Sequence, residues 1–347
     1  MKRLRLNSMA RLFLVVNAAT AFAQTEPATP PNSPPGPMPY VAILDPQLVP
    51  ASEASFLQDD DILIGVVRSN MAKAFPASDL TQHGTVNDQM PDGPIEVTWC
   101  GTCNTGAVFR ATFKGRLLHF EYDGMVAANE VHKDKETGSR WQQSTGEAIS
   151  GPLKGSFLEL YPSVRTSWKE WRRRYPNTLV LKPVPGYAEF MPRLSTRIKQ
   201  NTLLGEGAAP AGALSKDHRL RPRETVAGLT IRKETKAYPF SELRKVGVIN
   251  DRVGGVPVLL VHQPSSDTTT AFEARAKGKP LHFKARDSDA TALEDLETHS
   301  TWDAYGLCLE GTMKGTQLKV VALMSEFWYA WSEFHPQTQL FTPANAK

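Results

Sequence analysis

The apolar positions of this chain come in short runs broken by turn residues. Ile62–Val67, Ile95–Trp99, Ala107–Phe113 and Arg116–Tyr122 are rich in β-branched and aromatic side chains, and Gly, Asn, Asp and Pro punctuate them. Such runs read as strands. Lys114-Gly115 reads as a hairpin turn between the last two. Helical spacing is confined to two short stretches, Thr166–Arg174 and Ser325–Phe334. Trp168 and Trp171 stand three apart there and share a face. Tyr175-Pro176 and His335-Pro336 end these helices, because a residue before proline avoids the helical region. Ser78 and Ser241 are each placed to cap a single helical turn. Long helical periods between strands are missing, which argues against a parallel α/β fold. The expectation is a mainly β protein (a β-rich α+β fold), largely antiparallel, with short helices.

The pattern also repeats. Residues 73–120 align with residues 236–283 at a constant offset of 163, and 17 of the 48 positions are identical. Lys73-Ala74-Phe75-Pro76 meets Lys236-Ala237-Tyr238-Pro239, Asn87-Asp88 meets Asn250-Asp251, and Leu118-His119-Phe120 meets Leu281-His282-Phe283. Downstream, Trp141 pairs with Trp302, and Trp168 and Trp171 with Trp328 and Trp331. A period this long indicates two tandem homologous domains rather than a solenoid. We place them at 45–182 and 220–342, with a connection over 183–219.

The N-terminus changes the charge balance. The net charge is +4, but Lys2, Arg3, Arg5 and Arg11 lie in the first 23 residues. The remainder carries 36 basic and 36 acidic residues. A chain so balanced offers no global field for nucleic acid. The basic start, the apolar run from Leu12 and Ala21-Phe22-Ala23 have the form of a cleavable signal peptide over 1–23, cut after Ala23. The run is too short to span a membrane, so the mature chain is expected to have no transmembrane segment and to be periplasmic or secreted. Residues 24–44 form a proline-rich tether.

Features shared by both halves are expected to serve the fold. Six of the seven tryptophans pair in this way, as do His119 and His282, read as strand histidines, and Asn87-Asp88 and Asn250-Asp251, read as turns. His132 lies in a polar stretch and reads as part of a solvated loop. Cys308 has apolar neighbours and reads as buried and free.

Features confined to the first half are the candidate chemistry. Trp99-Cys100-Gly101-Thr102-Cys103 faces His262-Gln263-Pro264-Ser265-Ser266, and His83 faces Val246. His83, Cys100 and Cys103 form a soft donor set suited to copper or zinc. Three ligands with an open position would make a reactive site. The same cysteines suit thiol–disulfide exchange, since Trp-Cys-Gly-Thr-Cys approaches the thioredoxin motif, although no long helix follows. A structural cysteine pair in a non-catalytic binding module is a further reading, and a nucleophilic cysteine assisted by His83 a fourth. Gln143 is a candidate pocket residue in the first half. A c-type haem is excluded, because position 104 is asparagine. The pattern defines neither a reaction nor a partner.

The order Lys73-Ala74-Phe75-Pro76, His83, Asn87-Asp88, Cys100-x-x-Cys103, Glu136-Thr137-Gly138-Ser139-x-Trp141, Thr145-Gly146-Glu147 and Gly151-Pro152-Leu153 resembles the domain-of-unknown-function family 3179. The resemblance spans about residues 45–342. That family's cysteine pair usually reads Cys-Pro-x-Cys, often with tryptophan before the histidine; here Gly101 and Gln82 stand at those places. The resemblance implies the duplicated fold and the cysteine–histidine site, and no established activity.

Overall fold

The computed structural model describes residues 40–205 and 208–343. The expected signal peptide and the expected tether up to residue 39 lie outside the described residues. What is described is strand-rich, with antiparallel sheets and few short helices.

In the first half, a five-stranded sheet runs in the order Leu48–Pro50, Leu179–Leu181, Met71–Pro76, Ile62–Arg68, Val164–Ser167. Only the pairing of Leu179–Leu181 with Met71–Pro76 is parallel. Helix Ala77–His83 follows, then the antiparallel strands Thr85–Met90, Gly93–Cys100 and Thr105–Arg110. A small hairpin turns at Lys114 and Gly115, both at positive φ as a tight reverse turn requires. A four-stranded meander comes next, made of Phe120–Val126, Asn129–Asp134, Arg140–Gln142 and Ala148–Ser150. The offset of 163 that aligns the sequence also aligns the elements. Thr225–Ile231, Glu234–Pro239, helix Phe240–Val246, Val248–Val253, Val256–Gln263 and Thr268–Glu273 repeat the first half's bounds.

The halves share a sheet. The seven-stranded sheet joins Met324–Phe327 of the second half to Thr105–Arg110 of the first, through Ser325 and Gly106. Both halves belong to one compact unit.

The shared residues do structural work. Trp171 lies flat on Gly65, where an added Cβ would sit 2.2 Å from the ring; Trp331 lies likewise on Gly228, at 2.1 Å. Each indole N–H is satisfied, by Thr178 at 3.0 Å and Thr338 at 2.9 Å. The helices bearing these tryptophans are Trp168–Arg174 and Trp328–Phe334, slightly shorter than the expected spans.

Three expectations are corrected. Asn87-Asp88 and Asn250-Asp251 lie in strands rather than turns. The Asn87 amide clamps the Phe120 backbone at 2.8 and 2.9 Å, and Asn250 holds Phe283 in the same way, so the side chain ties two layers together. Ser78 and Ser241 do not cap: they lie inside helices Ala77–His83 and Phe240–Val246, whose N-cap positions are Pro76 and Pro239 with no side-chain cap hydrogen bond. His119 and His282 stand just before strands, paired with Glu136 and Glu297 at 2.6 and 2.7 Å. The connection carries a 14-residue helix, Met191–Leu204. Met191, Ser195, Ile198 and Thr202 form its buried face. Two of those four are polar, which hides the helical period from a hydrophobicity reading.

Candidate functional site

Cys100 ends its strand and Asn104, at φ 55°, turns the chain into the next one. That turn brings the two cysteines to a Cα separation of 5.5 Å, and they are joined as a disulfide. Both are fully buried against Phe327, Tyr329 and Ala330 of the second half. The Cys103 N–H donates to Cys100 Sγ at 3.1 Å, and Asn129 Nδ2 to Cys103 Sγ at 3.2 Å. A Cβ at Gly101 would meet the Thr81 methyl at 2.9 Å. Glycine at this place, where the family usually has proline, leaves room for Thr81.

His83 closes helix Ala77–His83, two residues beyond Thr81. Side chains two apart on a helix point to nearly opposite sides. Thr81 faces the cysteine turn; His83 instead donates from Nδ1 to the Val41 carbonyl at 2.8 Å and packs on the Tyr187 ring at 4.7 Å. Burial lowers its pKa, opposed by the Val41 bond. Its Nε2 is buried with no hydrogen-bond partner. The structure thus joins Cys100 and Cys103 and ties His83 Nδ1 to Val41. Among the described residues, no three His, Cys, Asp or Glu side chains are grouped to hold a metal ion. Gln143 is buried, with Nε2 donating to Thr98 Oγ1 at 2.9 Å and to the Thr105 carbonyl at 3.2 Å. Cys308 is buried and free.

The chemistry that sequence reasoning missed centres on His132. His132 is not in a solvated loop; it sits in strand Asn129–Asp134 and is 2% exposed. Its Nδ1 is 2.6 Å from Glu96 Oε1 and its Nε2 is 3.3 Å from Glu130 Oε2. Thr85 Oγ1 donates to the same Glu96 oxygen at 3.1 Å. Burial opposes a charge on the imidazole, but Glu96 and Glu130 outweigh it and raise its pKa to about 10. Glu130 is raised by burial, which its bond to His132 only partly offsets. A signal for this cluster existed. By the strand registers, Glu96 and His132 correspond to Leu259 and Leu293, so an ionic group replaces an apolar one in the first half alone.

Glu130 links this cluster to a cavity of about 280 Å³. Tyr40, Tyr122, Arg197, Arg223 and the Gly101-Thr102 turn complete much of its wall. The tyrosine rings stack at 4.3 Å. Burial raises the pKa of both phenols, with the Glu130 charge adding to it, so both keep their protons at neutral pH. Arg197 comes from the unexpected helix Met191–Leu204. Arg223 Nε donates to the Ala208 carbonyl at 3.1 Å.

The family described as "Protein of unknown function (DUF3179)" matches residues 38–338. The chain belongs to that family. No curated protein and no solved structure matches it. Membership of DUF3179 brings no activity with it, so the functional reading rests on this cavity and its neighbours. No helix among the described residues is long and apolar enough to cross a membrane.

Proposed function

We propose that the chain is an exported binding protein for a small, acceptor-rich organic anion, held in the cavity beside the Cys100–Cys103 turn. The observation that carries this reading is the donor set. Tyr40, Tyr122, Arg197 and Arg223 surround one cavity whose wall includes Glu130. The phenols are donors and the guanidinium groups are cationic donors, while Glu130 is tied to His132 at 3.3 Å. A carboxylate suits such a set, because it accepts several hydrogen bonds and is attracted by arginine. The stacked tyrosines offer an apolar face to the carbon skeleton. The disulfide holds the turn that forms one wall, so its role here is structural.

A copper or zinc site at His83, Cys100 and Cys103 is a second proposal, favoured by the partnerless His83 Nε2. It needs the disulfide reduced, because only thiolates ligate; the Nδ1 bond to the Val41 carbonyl leaves Nε2 as the ligating atom. Thiol–disulfide exchange has less support, since both sulfurs are fully buried.

Calorimetry against a panel of small mono- and dicarboxylates tests the first reading. We expect saturable binding by at least one, weakened about tenfold or more by Arg223→Ala, since charge-assisted bonds contribute roughly 1.5–3 kcal/mol. If no carboxylate binds, or if Arg223→Ala and Glu130→Gln bind like wild type, the reading fails. Metal analysis of reduced and oxidised protein tests the second: stoichiometric copper or zinc lost in Cys100→Ala supports it, and none in either state ends it.

A further inference from the structure

The second half has a cavity at the corresponding turn. Pro264-Ser265-Ser266-Asp267 occupies the positions of Gly101-Thr102-Cys103-Asn104 at the 163 offset. A space of about 270 Å³ opens against this turn, lined among others by Arg165, Thr166, Lys199, Arg244, Ser265 and Asp267. Helix Met191–Leu204 serves both cavities. Arg197 and Asn201 line the first, and Lys199 and Thr202 line the second, from roughly opposite faces.

The informative group is Arg165, which is 6% exposed. Its hydrogen bonds are two long ones, 3.4 Å from Nη1 to the Asp267 carbonyl and to Asp267 Oδ2. Its Nε is buried with no partner. A guanidinium has five N–H donors and no acceptor, and a buried charge without full partners is costly. The Phe240 ring lies 5.4 Å from the guanidinium carbon, which orients the group but accepts no conventional hydrogen bond. Asp267 cannot serve Arg165 alone, because Arg244 holds its Oδ1 at 3.0 Å from Nε and 2.8 Å from Nη2. Lys199 is paired with Asp60 at 2.7 Å and with Asp61, which is not part of the lining, at 3.3 Å. Three cations thus line the cavity against two carboxylates, Asp60 and Asp267, both already engaged. Asp289, just outside, is occupied by the Ser265 N–H and hydroxyl at 2.9 and 2.6 Å.

We propose that this second cavity binds a small phosphate-class oxyanion, free or as the end group of a small ester, on the Arg165 guanidinium with Lys199 and Arg244 beside it. A tetrahedral oxyanion presents acceptors to donors arriving from several directions, and arginine forks match that geometry. The volume leaves room for more than one phosphate group, which favours an ester. The seam between the halves builds the site: Arg165 and Thr166 come from the first half, Arg244 and the 264–267 turn from the second. It goes beyond the carboxylate cavity and stands without it.

The test is calorimetry on the full chain at low salt, with inorganic phosphate and separately with glycerol 3-phosphate. We expect saturable one-to-one binding, tighter for the ester if the ester is the true ligand class. Arg165→Lys keeps the charge but loses the fork, and should weaken binding at least tenfold. Arg244→Ala should weaken it several-fold, while Arg223→Ala in the first cavity should leave it unchanged. If Arg165→Lys does not fold, Lys199→Ala carries the test, because that side chain is partly exposed and its nearest partner, Asp60, is exposed. Absence of saturable binding by either anion overturns the proposal. So does wild-type affinity in the Arg165, Lys199 and Arg244 variants, or loss of binding in Arg223→Ala. A failed carboxylate screen at the first cavity leaves these outcomes unaffected.

Discussion

His132 and Glu96 meet at 2.6 Å in a place where the second half has two leucines, Leu293 and Leu259. The register is the same in both halves, since His132 lies opposite Trp141 and Leu293 opposite Trp302. The fold therefore tolerates an apolar pair at this position, and the ionic pair belongs to the first half's own task. Its third member, Glu130, reaches the cavity wall.

Removing one partner should cost more than removing both. His132→Leu strands two buried carboxylates, and breaking a buried pair in this way costs about 3–5 kcal/mol. Replacing Glu96 and His132 together by leucine copies the second half and should recover much of that loss. Urea unfolding of the single and double variants measures it. A double variant no more stable than the single one would contradict the account.

The same pair makes stability depend on pH. His132 has a folded pKa of about 10, above the unfolded value near 6.5. The folded state holds its proton longer, so the contribution is complete below about 6.5 and is lost as pH rises through 10. Glu326 acts in the same direction over an earlier window. Burial raises its pKa to about 8, against the bonds from Ser144 and Thr105. Between about pH 4.5 and 8 the folded chain keeps a proton that the unfolded chain has released, so stability falls across that range. Glu326→Gln should flatten this slope while retaining an acceptor for one hydroxyl. Denaturation midpoints at pH 5, 7 and 8.5 check it, and an unchanged slope would refute the assignment.

Much of the fold was legible because strands and turns leave local marks. The runs around Ile62, Ile95 and Ala107, the Lys114-Gly115 turn and the two tryptophan helices lie close to where the pattern places them. The cysteine turn was legible for the same reason. What was not legible depends on contacts distant in sequence. His132 sits among polar neighbours, and only the packing of Glu96 from another strand makes its site interior. The helix Met191–Leu204 has a buried face that is half polar, with Ser195 bonded to Asp61 and Thr202 to Asn104. The bond from His83 Nδ1 to the Val41 carbonyl joins residues 42 apart in sequence, which the spacing to Cys100 does not encode.

The Gly65–Trp171 contact is a sharp packing test. An alanine there would put Cβ 2.2 Å from the ring, so the indole must move or the strand must bend. Overpacking of this kind costs about 1–3 kcal/mol and sometimes more. Trp171 is also tied to Thr178, which limits its freedom to move. Gly65→Ala should therefore lower the melting temperature, and Gly228→Ala should do so similarly. Gly115→Ala, with nothing within 4 Å of the added Cβ, is a useful contrast. Its cost comes from the positive φ alone. Gly65→Ala melting like wild type would show that the core is looser than its contacts imply.

The cysteine pair yields a prediction about reactivity and stability together. Cys100 and Cys103 are joined, and Cys308 is buried and free, with its thiol pKa raised by burial. The native protein should show almost no titratable thiol, the unfolded protein one per chain, and the unfolded and reduced protein three. Because both sulfurs are fully buried, reduction of the folded protein should be slow and should speed up when it unfolds. The loop closed by the bond is short, so the chain-entropy model assigns it about 2 kcal/mol. Replacing both cysteines by alanine should cost at least that much, and more if the turn relaxes away from Phe327 and Tyr329. The variant should also lose carboxylate affinity, since Gly101 and Thr102 form part of the cavity wall. A disulfide reduced quickly by mild thiols in the folded state would reverse the assignment. It would mean that the buried bond opens readily, and thiol exchange would then replace structural bracing as its role.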